Sequence, residues 1–135
     1  MKRLNLIHTP RYALVFLMTA LLLGFVTSCK DDNDDPSPST HKVVLKAIAS
    51  SGSNLQTAVY GVSGNPKTVS LSGTTWISEE MIASEGTLIN AVVNGVGANT
   101  SSTLKVQVWI DGVMKKEESG LIGTTLSTSI INYKL

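Results

Sequence analysis

The clearest periodic pattern in the chain covers residues 104–110. Apolar residues occupy the even positions of this segment and alternate with Lys, Gln and Trp, which is the period of a strand with one buried face. The following dipeptide, Asp111-Gly112, suits the positive φ angles of a type I′ turn, and Val113–Glu118 can return as the antiparallel partner. The pattern therefore predicts a β-hairpin.

Shorter strand-like segments, rich in β-branched residues, fill the rest of 41–135 and are separated by Gly, Ser, Asn and Pro. No segment has a convincing helical period. The expected fold class is therefore all-β, an immunoglobulin-like antiparallel β-sandwich of about seven strands, with a small closed barrel as the alternative. Outside the hairpin, the predicted strands are Lys42–Ala49, Leu55–Val62, Lys67–Ser72, Trp76–Ile82, Thr87–Asn94 and Thr125–Tyr133.

The N-terminus follows a different pattern, which predicts a secretory signal peptide over residues 1–28. Basic residues come first, and Tyr12–Val26 is then a nearly uninterrupted apolar run of 15 residues. A membrane-spanning helix needs about 20 apolar residues, so this run is short for a span. The alternative is a short N-terminal anchor helix.

The only cysteine of the chain, Cys29, comes directly after this segment. The sequence Val26-Thr27-Ser28-Cys29 resembles the lipobox of bacterial lipoproteins, although that family prefers Leu where Val26 stands. The resemblance implies transfer of diacylglycerol to Cys29, cleavage before it, and anchoring by fatty acyl chains such as palmitate in the bacterial cell envelope, at the outer membrane. Two or three acyl chains hold a small domain on a bilayer stably, whereas one does not. A free or structural thiol is the alternative.

The composition of residues 29–40 predicts a lipidated, acidic, Pro- and Ser-rich tether, because this segment contains too little apolar surface to fold. The run Lys30-Asp31-Asp32 resembles the export signal of surface-exposed lipoproteins in Bacteroides-type bacteria. An ordinary solvated linker is the alternative interpretation. A calcium loop beginning at Asp31 is excluded, because its sixth and twelfth positions are Pro36 and Lys42 rather than Gly and Glu.

Composition and charge exclude several classes of function. The chain has 11 Lys and Arg against 10 Asp and Glu, a formal net charge of +1, and removal of residues 1–28 would leave about −2. No basic field therefore indicates nucleic-acid binding. A single Cys cannot form an internal disulfide, and His8 and His41 are too few for a histidine-based metal site. We expect neither a metal nor another cofactor.

The sequence also offers little for catalysis. The carboxylate doublets Glu79-Glu80 and Glu117-Glu118 cannot form a facing pair by themselves, because adjacent residues on a strand point to opposite faces. His41 lies at the end of the tether, where it cannot support a catalytic triad. We therefore expect a protein that is not an enzyme.

Aromatic residues are the candidates for a binding surface. Alternation places Trp109 on the outer face of its strand together with Lys105, and Tyr60 is the second candidate. Trp76 is expected in the core. Exposed aromatic rings bind sugars or protein partners, and the loops Ser50–Asn54 and Gly95–Ser102 could present further contacts.

Residues 41–135 also resemble the small β-sandwich of the mycobacterial transport-accessory membrane proteins. The segments that carry this resemblance are Val43-Val44-Leu45, Val59-Tyr60-Gly61, Trp76 and the apolar strand that ends in Asp111-Gly112. The late paired cysteines of that family are absent. The resemblance implies a non-catalytic accessory domain that binds a protein in the envelope, and a carbohydrate-binding module is the alternative.

Overall fold

The computed structural model describes residues 39–135, which form nine strands. None of these residues belongs to a helix that could cross a membrane. The strands lie in two antiparallel sheets, so the predicted all-β sandwich is confirmed and the closed barrel is not. The strands are β1 (Thr40–Ala49), β2 (Asn54–Val62), β3 (Asn65–Ser70), β4 (Thr75–Ile77), β5 (Met81–Ser84), β6 (Leu88–Val96), β7 (Thr103–Ile110), β8 (Val113–Leu121) and β9 (Ser127–Lys134).

Each sheet has a simple order. The first sheet runs β4-β1-β7-β8, and β5 pairs with β1 on the same side as β4. The second sheet runs β3-β2-β6-β9. The strand at the start of the chain is therefore central in the first sheet and pairs with β7 over seven residues, from Val43 to Ala49. This pairing joins segments that are about 60 positions apart in the sequence, and no local pattern specifies it.

The core is the layer between the two sheets. Alternate residues of β1, β2, β6 and β7 point into this layer and are fully or almost fully buried, whereas their neighbours point to solvent. Burial of one such Val, Leu or Ile contributes about 1.5 to 3 kcal/mol. The largest fully buried side chains are Leu45, Leu55, Ile89, Leu104, Ile122, Ile131, Val43, Val93, Val106 and Val108.

The predicted hairpin at 104–118 is confirmed. Asp111 and Gly112 have φ angles of 51° and 79°, as the turn requires. The second strand of the hairpin is longer than predicted, because β8 continues through Leu121. A second turn with two positive φ angles, at Ser63 and Gly64, joins β2 to β3.

The prediction of a single strand over Trp76–Ile82 is wrong. The segment is divided into β4 and β5, because one extra residue lies between the parts that pair with Lys46 and Val43. Ser78 compensates for the interruption: its N–H donates to the carbonyl of Leu45, and its Oγ accepts the N–H of Leu45 at 3.0 Å. The count of nine strands instead of about seven comes partly from this division.

The two ends of the sandwich are built differently. The chain enters at Thr40, and the turns at 63–64, 85–87 and 111–112 lie at this tether end, where the N–H of Glu85 donates to the carbonyl of Ser39. Four connections lie at the opposite, far end, and all four cross from one sheet to the other: 50–53, 71–74, 97–102 and 122–126. Backbone hydrogen bonds join neighbouring connections there, including Gly97 N–H to the carbonyl of Gly123 at 2.7 Å.

The tightest packing at the far end predicts that Gly97→Ala will destabilise the domain. A Cβ at this position would overlap the carbonyl oxygen of Ile122 and lie 2.7 Å from the Cβ of Ser102. We expect a loss of about 1 to 3 kcal/mol in the free energy of unfolding. Gly120→Ala is the matched control, because nothing lies within 4 Å of its Cβ position, and it should be neutral or slightly stabilising. Urea unfolding measures both, and equal stability of the two variants would contradict the packing at Gly97.

Candidate functional site

Trp109 lies on the outer face of the first sheet, as the alternation predicts, and a polar network fixes its ring. The indole Nε1–H donates to Oε1 of Gln107 at 2.9 Å, and Nε2 of Gln107 donates to Oε2 of Glu117 at 2.6 Å. Lys105 completes the network with its Nζ 3.3 Å from Oε1 of Glu117. The hydrogen bond from Gln107 and then that from Lys105 lower the pKa of the Glu117 carboxyl. The ring therefore has one defined orientation.

Trp109 is nevertheless half-buried. The ammonium of Lys46 lies 3.7 Å from the ring centroid and covers one face in a cation–π contact. Val44 and Met114 lie next to Trp109 in the neighbouring strands. A flat ligand could stack on the covered face only after displacing Lys46.

Tyr60, the second candidate for a binding surface, is a correction. Its side chain is 3% exposed and points into the core, because the β2 register directs it inward with Ala58. Trp76 packs against the same core, and the two rings meet edge to face with centroids 5.0 Å apart. The expectation for Trp76 agrees with this position, but Tyr60 offers no surface to a ligand.

The carboxylate doublets bind lysines rather than each other. Glu79 pairs with Lys67 of the opposite sheet, and Glu80 pairs with Lys42. Glu117 pairs with Lys105, and Glu118 lies 3.1 Å from Lys116. Between residues 39 and 135 there is also no group of three or more His, Cys, Asp or Glu that could hold a metal ion. The ion pair of Lys67 raises the pKa of that ammonium.

The far end of the sandwich is a different kind of surface. Its four connections consist of Ser, Thr, Gly, Asn, Ala, Leu and Ile and include no charged residue. Two exposed leucines lie there: Leu121 at the end of β8 is 72% exposed, and Leu126 is 60% exposed. Depletion of charge and the presence of apolar anchors are the features that distinguish the centre of protein interfaces from ordinary surface. We call these four connections with Leu121 the far-end surface.

The sequence predicted part of this surface. The loops 50–54 and 95–102 were expected to present contacts, and both contribute to the far end. Sequence patterns alone did not reveal that segments 71–74 and 122–126 join them, because strand order decides which loops meet. The signal that was available is the absence of charge in all four segments.

The tether end, in contrast, is held by a charged contact. Nδ1 of His41 donates to Oδ2 of Asp111 at 2.7 Å, and the N–H of Lys42 donates to Oδ1 at 2.8 Å. These two hydrogen bonds, that of His41 first, lower the pKa of the Asp111 carboxyl. The β7–β8 turn is thereby tied to the beginning of β1.

Several predicted residues lie outside the described part of the chain. These are the lipidation candidate Cys29 and the export-signal candidates Lys30, Asp31 and Asp32. No protein-family model matches the chain. A search of curated proteins likewise finds no significant match.

The contact at the tether end predicts that Asp111→Asn will destabilise the domain at neutral pH and reduce its sensitivity to acid. A carboxyl whose pKa is lowered by folding stabilises the fold above its unfolded pKa of about 4, and this contribution disappears as the pH falls through the folded value. Asn tolerates the φ angle of 51° at this position. The melting temperature of the variant should therefore be below that of the wild type at about pH 7, and the difference should shrink at about pH 2.5.

Glu85→Gln at the same end is the matched control, because no ion pair joins its carboxylate to the described residues. It should leave the acid dependence unchanged. A difference between Asp111→Asn and the wild type that stays constant over this pH range would show that the charge of Asp111 is not what stabilises the turn.

Proposed function

We propose that the protein is a lipid-anchored lipoprotein of the bacterial cell envelope, attached at Cys29 to the outer membrane and exposed at the cell surface. Its β-sandwich is a non-catalytic interaction module that binds a protein partner in the envelope. The partner contacts the far-end surface. The acyl chains supply the membrane attachment, and the acidic tether with Lys30, Asp31 and Asp32 supplies the export signal.

The observation that carries the interaction role is the composition of the far-end surface. Charged residues occupy the first sheet, the sides of the sandwich and the tether end, but the four far-end connections have none. Leu121 and Leu126, exposed by 72% and 60%, add apolar area to this uncharged surface. A protein partner that covers both leucines would remove them from water without having to desolvate a charge.

The geometry of the chain is consistent with this role. The far-end surface lies at the end of the sandwich opposite Thr40, where β1 begins. Hydrogen bonds within the loops, such as Ser101 N–H to Oδ1 of Asn99 at 2.9 Å, define the shape of this surface before binding. A preformed surface loses less conformational entropy when a partner binds.

A carbohydrate-binding module is the second candidate, and one observation favours it. Trp109 combines a half-buried ring with the amide and carboxylate groups of Gln107 and Glu117, which could bind sugar hydroxyls. The cation–π contact of Lys46 weighs against this function, because it covers a ring face. Glycan-array binding by the wild type that disappears in Trp109→Ala, with an unchanged melting temperature, would favour the carbohydrate function.

We also include in this proposal the immunoglobulin-like class and a distant relationship to the mycobacterial transport-accessory proteins. The support is the two-sheet antiparallel architecture together with the segments around Val43, Val59, Trp76 and Asp111. A crystal structure compared with both groups of domains would test the assignment. An accessory role in the envelope would agree with an interaction module.

The anchor predicts the behaviour of Cys29→Ser. Without the thiol, diacylglycerol cannot be attached, and cleavage before residue 29 should fail as well. Mass spectrometry of the wild type should find an acylated N-terminal Cys29, and the variant should keep its leader and lack acyl chains. A wild type that is cleaved elsewhere, or not acylated, would overturn the anchor.

Protease added to whole cells should remove the wild-type domain, and full protection would contradict surface exposure.

The partner surface predicts the effect of Leu121→Lys. Crosslinking on intact cells should capture one dominant protein with the wild type. An ammonium at the centre of the contact should reduce that product at least about tenfold. Val113→Lys is the matched control, because Val113 is 55% exposed and lies at the opposite end of the same strand. Loss of the product in both variants, or in neither, would contradict binding through the far-end surface.

A further inference from the structure

The outer face of the second sheet is almost free of charge. The residues that point outward from its four strands are Thr57, Val59 and Gly61 of β2, Pro66, Thr68 and Ser70 of β3, Leu88, Asn90, Val92, Asn94 and Val96 of β6, and Thr128, Ile130, Asn132 and Lys134 of β9. Lys134 is their only charged member, and it lies at the corner of the tether end. We call this surface the neutral face.

The middle of the neutral face is an apolar row. Val59 is directly opposite Val92, and Val92 is directly opposite Ile130, so the three side chains lie next to one another across β2, β6 and β9. Ile130 is 57% exposed. Val59 and Val92 are half-buried. Such a row of β-branched side chains is a favourable packing surface.

Polar rows flank the apolar row on both sides. On the side of the far end, Thr57, Asn94 and Thr128 are in register, and Oγ1 of Thr128 donates to Oδ1 of Asn94 at 2.7 Å. On the side of the tether end, Asn90 is opposite Asn132. An apolar centre with an uncharged hydrogen-bonding rim is the anatomy of a protein interface.

The first sheet shows that this neutrality is not a general property of the molecule. Its outer face has Lys42, Lys46, Lys105 and Glu117 among its outward residues. Soluble surfaces usually mix charges of both signs, as this face does. The outer faces of the two sheets therefore differ in charge. The lack of charge on the second sheet needs an explanation of its own.

We propose that the neutral face binds the neutral face of a second copy of this chain. A two-fold axis along the apolar row would place that row on its own counterpart. The same operation would place the Thr and Asn side chains on one side of the row over the Asn side chains on the other. No like charges would meet, which a surface must satisfy before it can pack on itself. Two sheets packed in this way lie about 10 Å apart.

The neutral face is large enough for this contact. A strand spacing of about 4.8 Å and a rise of about 3.3 Å per residue give the four strands about 500 Å² in projection. The accessible area of two such faces is above about 1,000 Å², the lower limit for a specific interface. Strand addition at the edge of the same sheet is a poorer way to dimerise: Pro66 cannot donate from the β3 edge, and Nζ of Lys116 donates to the carbonyl of Asn132 at the β9 edge.

Sedimentation of the full chain, purified in a density-matched mild detergent over about a hundredfold range of concentration, tests this proposal. The wild type should associate to a dimer. Ile130→Lys should weaken the dimer at least about tenfold, because it puts an unpaired ammonium into the apolar row. Ile82→Lys is the matched control: Ile82 is 58% exposed on the first sheet, against 57% for Ile130, and its dimer should stay within about twofold of the wild type.

A second measurement is independent of detergent and of the lysine substitution. In whole cells, a short bismaleimide should crosslink Val92→Cys into dimers, because Val92 lies near the proposed axis. Val44→Cys is the control, since Val44 is similarly half-buried on a central strand of the first sheet. Cys29 is present in both variants and contributes equally.

The two measurements distinguish the proposed dimer from its alternatives. A wild type that remains monomeric and a Val92→Cys variant that gives no crosslink would overturn the proposal, and would leave the neutral face to another occupant such as a neutral glycan. Equal crosslinking of Val92→Cys and Val44→Cys would indicate crowding rather than an interface, and would overturn it too. The proposal does not depend on the anchor, because a Cys29→Ser chain should still dimerise.

Discussion

The fold depends on one constraint, the burial of alternate side chains between two sheets. Every long strand except β8 has one face in the shared apolar layer, and that layer is closed at the far end by connections that cross between the sheets. Once the inward positions are fixed, the outward positions are fixed as well, because a strand has a period of two. Trp109, Lys46 and the residues of the neutral face are therefore surface residues as a consequence of how the core is filled.

Local features of this fold were predictable from the sequence. The β7–β8 hairpin follows from alternation and an Asp-Gly turn, and the outward position of Trp109 follows from the same alternation. The sequence did not predict the break between β4 and β5, because Ser78 replaces the missing pairing through its own hydroxyl. Tyr60 illustrates a further limit: its place in the core follows from the register of β2 against β6 and β3, and residue type alone favours surface and interior about equally for tyrosine.

The distribution of charge is the property that links the fold to the proposed function. The ion pair of Lys67 with Glu79 joins the two sheets, Lys116 pairs with Glu118 of the same strand, and His41 contacts Asp111 at the tether end. Exposed pairs of this kind contribute little to stability individually. Their placement matters more, because charge is concentrated on some surfaces, whereas the far-end surface has no charged residue and the neutral face has only Lys134. These two surfaces adjoin along the ends of β6 and β9.

The central position of β1 has a mechanical consequence. The described part of the chain begins directly before this strand, and β1 is bonded on one side to β7 and on the other to β4 and β5. Under the proposed function, a pull between the anchor and a partner held at the far end would run parallel to β1. Such a force loads its hydrogen bonds in shear, all at once, instead of opening them one after another. If the proposed anchor holds the domain, this geometry would let it resist drag without a disulfide bond between its strands.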